Sequence, residues 1–392
     1  MISLETHFKL NRFLLLIIGL WPMQQSNLTR FQFIFLSIIL MTGILFQFTS
    51  FITSKCTSDF IINILSSISF FSIFVIKYTL FYLNIEAMKD LLMQLQDVCD
   101  KIKDKNEIAI MKKYNCNAKR FTIALTILGV CSVFASIIVT FWSSIFSIIL
   151  SINITHSRRL PITMEYFIDQ EKYLYLALIH INVIICIGAI MMIAIGAMLF
   201  AYFQHTCGMF KISSHRIKCA VLINTLEDIK SKKMNLILKG IISAINIHRQ
   251  AMKLTKLLAS KIEKMLFCLI IIEVLALSLN LFRIFQIISY RDDVKEILFP
   301  FIFVTITVLY MFIANYVAQD LTDHNSDLFA TVYDVQWHEA PLHVQKLILF
   351  LLQKGTKDFT IRVGGLFVGS LECFATLVKA SVSYFTVIYS MQ

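Results

Sequence analysis

Long apolar runs alternate with shorter basic segments along this chain. Seven of the runs, at residues 31–53, 60–83, 121–150, 173–203, 266–289, 297–318 and 366–390, are long enough to cross a bilayer. A helix needs about 20 mostly apolar residues to span a hydrocarbon core of roughly 30 Å. The pattern predicts an all-α integral membrane protein with seven transmembrane helices. A shorter run, "FLLLIIGLW" at 13–21, has nine residues and is too short to span. Lys9 and Arg12 precede it as they would in a signal peptide, but no small-x-small cleavage site follows. It is read as an interfacial or re-entrant helix.

Between the spans a second periodicity appears. Met88, Leu91, Leu92, Leu95 and Val98 recur at helical spacing within 84–120. The same spacing returns in 220–264 at Leu222, Ile223, Leu226 and Ile229, then at Ile241, Ile242, Ile245 and Ile247. A further amphipathic run, "HVQKLILFLLQK" at 343–354, has twelve residues. None of these segments is rich in Pro, Gly or Ser. They are expected to extend the spanning helices and pack together beyond the membrane. The alternative is helices lying on the inner leaflet, held by Lys and Arg.

Charge orients the bundle. The segments on the N-terminal side (1–30, 84–120, 204–265, 319–365) hold 27 Lys and Arg, against 6 on the opposite side. Positive charge concentrates in cytoplasmic segments, so the N-terminus is expected to be cytoplasmic and the C-terminus extracellular. The net charge of +11 then reflects topology and anionic inner-leaflet lipid, not nucleic acid. The sequon Asn153-Ile154-Thr155 falls on the predicted outer side.

Composition agrees with the pattern: 57 % of residues are apolar, 16 % are charged, and there are 34 Phe but 4 Pro. Of the nine Cys only Cys56 lies in a predicted external segment, so no disulfide framework is expected. No metal-ligand spacing occurs, His205 and Cys207 being an incidental His-x-Cys. No catalytic motif or cofactor-binding motif is found either, which argues against an enzyme.

The last span is two-sided. At about 100° per residue, Thr376, Ala380, Ser383 and Val387 fall within about 60° of one another, whereas Phe374 and Phe385 lie elsewhere. Such a stripe of small and hydroxyl residues suits either water on one side or close helix packing. Charges within spans default to functional roles. Lys379 lies beside the stripe and is assigned to packing or a subunit boundary. Lys77 and Lys264 sit toward inner helix ends and are expected to snorkel. Glu273 and Arg283 have no partner that the sequence identifies.

Residues 309–385 then carry a resemblance. Tyr333 and Trp337, Gln345-Lys346-Leu347, Gly364-Gly365 and the closing Ser383-Tyr384-Phe385 are similar to the C-terminal signature of insect odorant receptors. The N-terminal "GLWP" at 19–22 and the chain length agree with it. The resemblance implies a subunit of a ligand-gated nonselective cation channel in the plasma membrane of olfactory sensory neurons. It would assemble as a heterotetramer with co-receptor subunits, surrounded by membrane lipid and opened by a small volatile odorant. The co-receptor carries a long insertion in its second cytoplasmic loop; residues 204–265 are short, so the chain resembles an odorant-tuned subunit.

The resemblance also implies a division of labour. Residues 1–30 form a cytoplasmic N-terminal segment and 31–318 the six helices that hold the odorant pocket. Residues 319–365 form a cytoplasmic helical anchor, with Tyr333 and Trp337 at subunit contacts, and 366–392 the pore-lining helix. Thr376, Ala380, Ser383, Val387 and Ser390 would face the pore. Val387 matches the family's apolar gate position, and Ser390 stands where the co-receptor has Gln. Since an odorant is mostly apolar, the expected pocket residues are Phe70, Phe71, Phe74, Trp142, Phe146, His180 and Thr305. His180 serves there as polar contact or as an interhelical hydrogen bond. A gustatory receptor shares the topology but has a different final-helix motif. A G-protein-coupled receptor needs the opposite orientation and an Asp-Arg-Tyr-like end to span three. A transporter would show inverted repeats, which are not found.

The orientation makes a direct prediction. An epitope placed after Gln392 is labelled by antibody on intact cells, and one placed before Met1 is labelled only after permeabilisation. The reverse pattern would exclude the topology.

Overall fold

The computed structural model describes residues 8–54, 56–150, 162–167, 170–222, 230–290, 294–335, 337–355 and 359–391, the side chains of 142–150 and of a few helix ends excepted. A short helix α1 (Lys9–Ile17) precedes the first span, α2 (Asn27–Phe48), which is prolonged by one turn at Ser50–Thr53. Then come α3 (Ser58–Leu83), α4 (Ile85–Lys101), α5 (Lys105–Leu150), α6 (Gln170–Leu222), α7 (Lys230–Tyr290), α8 (Leu298–Asp334) and α9 (Leu342–Gly355). A two-stranded hairpin, β1 (Arg362–Val363) and β2 (Phe367–Val368), leads into α10 (Leu371–Ser390). Among the described residues, α2, α3, α5, α6, α7, α8 and α10 are long and apolar enough to cross a membrane.

Local chemistry sets where the spans begin. Ser26 and Thr29 form a reciprocal capping box at the start of α2, with Ser26 N–H donating to Thr29 Oγ1 at 3.0 Å. Thr57 caps α3 by accepting from the Phe60 N–H at 3.3 Å.

Four helices outrun the bilayer. With 61 residues, α7 is about 90 Å long at 1.5 Å per residue, three times the hydrocarbon thickness. The extensions of α6, α7 and α8 meet α9 in a separate core built from Ile217, Ile241, Leu328, Val344 and Ile348. This is the helical packing that the amphipathic segments predict, although Ile242 is exposed. The run at 343–354 lies within α9, and Met88, Leu91, Leu92, Leu95 and Val98 form the buried face of α4. Ile223, Leu226 and Ile229 lie outside the described residues. The extensions give the bundle a broad end opposite the narrow end where α10 finishes.

Polar contacts staple the broad end. Arg216 of α6 grips Glu107 of α5 through two bonds, Nε to Oε1 at 2.6 Å and Nη2 to Oε2 at 2.7 Å. Its third nitrogen donates to Ser243 Oγ of α7 at 2.8 Å. Tyr114 and His324 join α5 to α8 at 2.8 Å, and His248 and Asn325 join α7 to α8 at 3.0 Å. The short helix α1 buries Leu14 and Leu15 and exposes Phe13 and Ile17, as an amphipathic helix does. Asn11 fixes it, donating to the Ala197 carbonyl at 3.4 Å and accepting from the Thr122 hydroxyl at 3.0 Å.

Two expectations are corrected. The final helix begins at Leu371, not 366, because Gly364 and Gly365 at φ +61° and +68° turn the chain back into a hairpin first. A side chain at Gly364 would strike the Phe267 ring, and its N–H is held by Glu263 Oε1 at 3.0 Å. Lys77 does not snorkel: it is buried inside the bundle with its ammonium 4.1 Å from the centre of the Tyr310 ring. Lys264 is exposed, and His205 stacks on Phe8 at 5.4 Å. All nine Cys are free.

Replacing Arg216 with Ala leaves the buried Glu107 carboxylate unpaired, a loss on the order of 3–5 kcal/mol. The expected result is a lower melting temperature of the purified chain and reduced surface expression. Arg216→Lys, which cannot form the fork, falls between the two. Equal melting temperatures for all three proteins would show that the staple is not structural.

Candidate functional site

A cavity of about 220 Å³ lies in the half of the bundle nearer the narrow end, walled by α3, α5, α6 and α8. Its floor is a group of phenylalanines. Phe70 stacks on Phe303 with ring centres 3.9 Å apart and meets Phe74 edge-on at 5.1 Å. Phe71 stands behind them, edge-on to both Phe74 and Phe303. Edge-to-face and offset contacts let such rings pack densely without repulsion of their faces. At Gly188 of α6 an added Cβ would fall 2.4 Å from the Phe74 ring, so glycine is what lets α6 lie against it.

The polar groups on the wall are few. Ser132 and Ser136 donate to the Gly129 and Val133 carbonyls at 2.8 Å, and Thr305 donates to Phe301 O at 2.8 Å. Their protons are thus used within their own helices, and the remaining lone pairs make each hydroxyl an acceptor toward the cavity. Tyr310 closes the deep end. Leu128, Phe301 and Thr305 line the cavity and are also exposed, so it opens sideways between α5 and α8.

Of the residues that the sequence nominates, Phe70, Phe74 and Thr305 line this cavity, and Phe71 supports its floor from behind. His180 stands apart. The Thr42 hydroxyl donates to the Ile39 carbonyl at 2.7 Å, so His180 Nε2 donates to Thr42 at 3.1 Å while Nδ1 accepts from the Tyr166 hydroxyl at 2.9 Å. Both ring nitrogens are therefore engaged in tying α2 and α6 to residues 162–167. The side chains of Trp142 and Phe146 lie outside the described residues. Ser132, Ser136, Met192, Phe299 and Phe303 are lining residues that sequence reading missed. The "FPFIF" run at the start of α8 and the serines within an apolar span are the signals that point to them.

The final helix is the second feature. Only 11 % of its apolar window is buried within the chain, against 67 % for α6. Its packed side carries Phe374, Leu377, Ser381 and Phe385, with Phe374 against Phe312 at 5.4 Å and Phe385 against Phe285 at 6.0 Å. The open side carries Thr376, Ser383, Val387 and Ser390, with Ala380 half-buried and Lys379 exposed. Val387 is 51 % exposed. The start of the helix is fixed by Ser370, whose Oγ accepts from Cys373 N–H at 3.0 Å and whose own N–H donates to Asn315 Oδ1 of α8 at 3.3 Å. At the broad end Tyr333 is 72 % exposed, whereas Trp337 packs against the second core.

Comparison with known proteins supplies a context for this geometry. The family model described as 7tm Odorant receptor matches residues 57–382. Odorant receptor 9a of Drosophila melanogaster is 20 % identical over 210 residues, 53 % of this chain and 50 % of that protein. Odorant receptor 30a of the same organism is 26 % identical over 187 residues, 44 % of this chain and 45 % of that protein. The chain thus spans about half the length of the curated relatives it matches. The structure of the insect olfactory receptor OR5 from Machilis hrabei in complex with eugenol superposes with a TM-score of 0.77 at 13 % identity, over 99 % of this chain and 98 % of that one. A second structure of that receptor gives the same TM-score at 14 % identity, over 99 % of both chains. At these identities the likeness is one of fold.

Proposed function

The chain belongs to the 7tm odorant receptor family, and on that premise we propose that it is the odorant-tuned subunit of a ligand-gated nonselective cation channel, assembled with co-receptor subunits in the plasma membrane of olfactory sensory neurons. The observation that carries the reading is the apolar cavity at membrane depth. Its size, phenylalanine floor and acceptor-only hydroxyls fit a small volatile with a hydrocarbon body and at most one donor group, an alcohol or phenol. Its lateral opening faces lipid, where an apolar odorant concentrates. The matched Machilis hrabei receptor was solved with eugenol, a phenol of that scale.

The pore half of the reading rests on α10. A helix whose open side bears Thr376, Lys379, Ser383 and Ser390 is poorly suited to lipid, so neighbouring subunits and water are the fitting surroundings. Val387 lies on that open side near the narrow end and would contribute to an apolar ring that closes by dewetting. The broad end, where basic residues concentrate, is the cytoplasmic platform. Exposed Tyr333 and neighbouring Trp337 are placed there to meet another subunit.

Cells expressing the chain with a co-receptor test both halves. Met192→Trp fills the outer cavity and raises the half-maximal concentration of activating volatiles at least tenfold, a loss of about 1.4 kcal/mol or more. Ser132→Ala removes an acceptor and weakens only ligands that carry a donor, by roughly fivefold, about 1 kcal/mol. If neither change moves the response to any active volatile at equal surface expression, this cavity is not the odorant site. Val387→Ala is expected to raise resting current or alter block by large cations, and only partly, since co-receptor residues complete the ring. Unchanged basal current, selectivity and block would remove α10 from the gate.

A further inference from the structure

A second cavity, of about 130 Å³, shares Tyr310 and Ile313 with the outer one and reaches α10 at Cys373 and Leu377. Most of its wall is apolar, but two opposite charges line it. Lys77 of α3 is 5 % exposed and Glu273 of α7 is 8 % exposed. Both border the same cavity. Among the described residues no hydrogen bond or salt bridge joins them, and the ammonium lies 4.1 Å from the centre of the Tyr310 ring. Asn315, also on the wall, is already engaged, donating to Met311 O at 2.9 Å and accepting from the Ser370 N–H.

Charges buried within a membrane bundle are costly unless hydrogen-bonded, and by default they mark functional sites. Here an amine and a carboxyl group line one cavity, and neither makes a side-chain hydrogen bond among the described residues. The chemistry of an occupant follows. A carboxylate would satisfy Lys77 but meet repulsion from Glu273, and an ammonium would do the reverse. An alkane would leave both charges unsolvated. A hydroxyl is acceptor and donor at once and serves both.

Size narrows the class further. A cavity of about 150 Å³ lined by apolar side chains holds a benzene, so this one suits a molecule of about five heavy atoms, the size of a butanol.

We propose that this inner cavity is a second ligand site, specific for a small aliphatic alcohol whose hydroxyl accepts from Lys77 and donates to Glu273 while its chain lies against Leu377 of α10. An occupant there touches the final helix directly and the outer cavity only through Tyr310 and Ile313. It therefore modulates opening without competing with the ligand in the outer cavity. Binding stands on this geometry alone; the modulation rests on the reading of α10 as the pore helix.

A butanol carrying a diazirine, photolysed in membranes that contain the full chain with its co-receptor, tests binding by mass mapping of the adducts. Label is expected on residues of the inner cavity alone, such as Glu273, Met311 and Cys373, displaced by 1-butanol and not by pentane. Lys77→Met reduces it at least fivefold while keeping Glu273 as a target. The double variant Lys77→Met with Glu273→Gln removes both charges together, so that no lone charge is left to unfold the bundle, and must lose the label as well. Met192→Trp, in the outer cavity, leaves it unchanged. Adducts confined to the outer cavity or the lipid face would overturn the proposal. So would labelling that survives Lys77→Met, which would mean that water alone bridges the pair.

A second measurement separates this proposal from the channel reading. In recordings, 1-butanol shifts the half-maximal concentration of an activating odorant at least threefold for the native chain and not for the double variant. Labelling of the inner cavity without any odorant-evoked current would leave the site standing and count against the channel.

Discussion

Inside a bilayer core no water is available to hydrogen-bond the backbone, so each N–H and C=O must find its partner within its own helix. That constraint produces the long α5, α6, α7 and α8, and their length produces the rest. Helices that leave the hydrocarbon still carry apolar faces, and those faces have to be covered. They cover one another: Ile217, Ile241 and Leu328 meet Val344 and Ile348 of α9 in a second core below the first. The two cores make different demands. Within the membrane, packing is assisted by lipid on the outside; beyond it, ion pairs such as Glu107–Arg216 and hydrogen bonds such as Tyr114–His324 hold helix extensions that water would otherwise separate.

The same constraint sorts the polar residues within the spans. Most hydroxyls there, including Thr126, Ser132, Thr140 and Thr305, donate to a carbonyl three or four residues back on their own helix. This satisfies the proton and leaves an acceptor facing sideways. Where such a hydroxyl borders the phenylalanine group of α3 and α8, it is a hydrogen-bond acceptor in an otherwise apolar cavity. Lys77 and Glu273 are not satisfied in that way: among the described residues neither side chain makes a hydrogen bond to the backbone. They are tolerated because they share a cavity and because the Tyr310 ring lies against the ammonium.

The final helix departs from the other six. It is anchored at one end by the Gly364-Gly365 hairpin, Ser370 and Asn315, and along one side by aromatic contacts to α7 and α8. Its other side is left to whatever surrounds the chain. A helix held firmly at its base and by one face, and in contact with a cavity that borders the outer one, is well placed to respond to both. The shared wall, Tyr310 and Ile313, is the shortest physical connection between them.

Hydropathy, charge and periodicity determined the membrane class, the seven spans, the helical extensions and the face of α4 that is buried, because each of these follows from the one-dimensional order of apolar and polar residues. The stripe of Thr376, Ser383 and Val387 was legible for the same reason: a helix maps spacing directly onto faces, and the structure leaves that face open. Phe70 and Phe74 were legible as aromatic residues on one span. What the sequence left undetermined was which helices meet. The partner of Phe70 is Phe303, more than two hundred positions away, and the pairing depends on how α3 and α8 cross. His180 looked equally suited to a ligand or to a helix contact until Thr42 and Tyr166 were seen at its two nitrogens. Glu273 had no identifiable partner until α3 brought Lys77 to the same cavity, since a side chain 196 residues away becomes a neighbour only through tertiary packing. Cavities belong wholly to that level: they are the space that packed helices fail to fill, and only the three-dimensional arrangement of the side chains decides where that space lies.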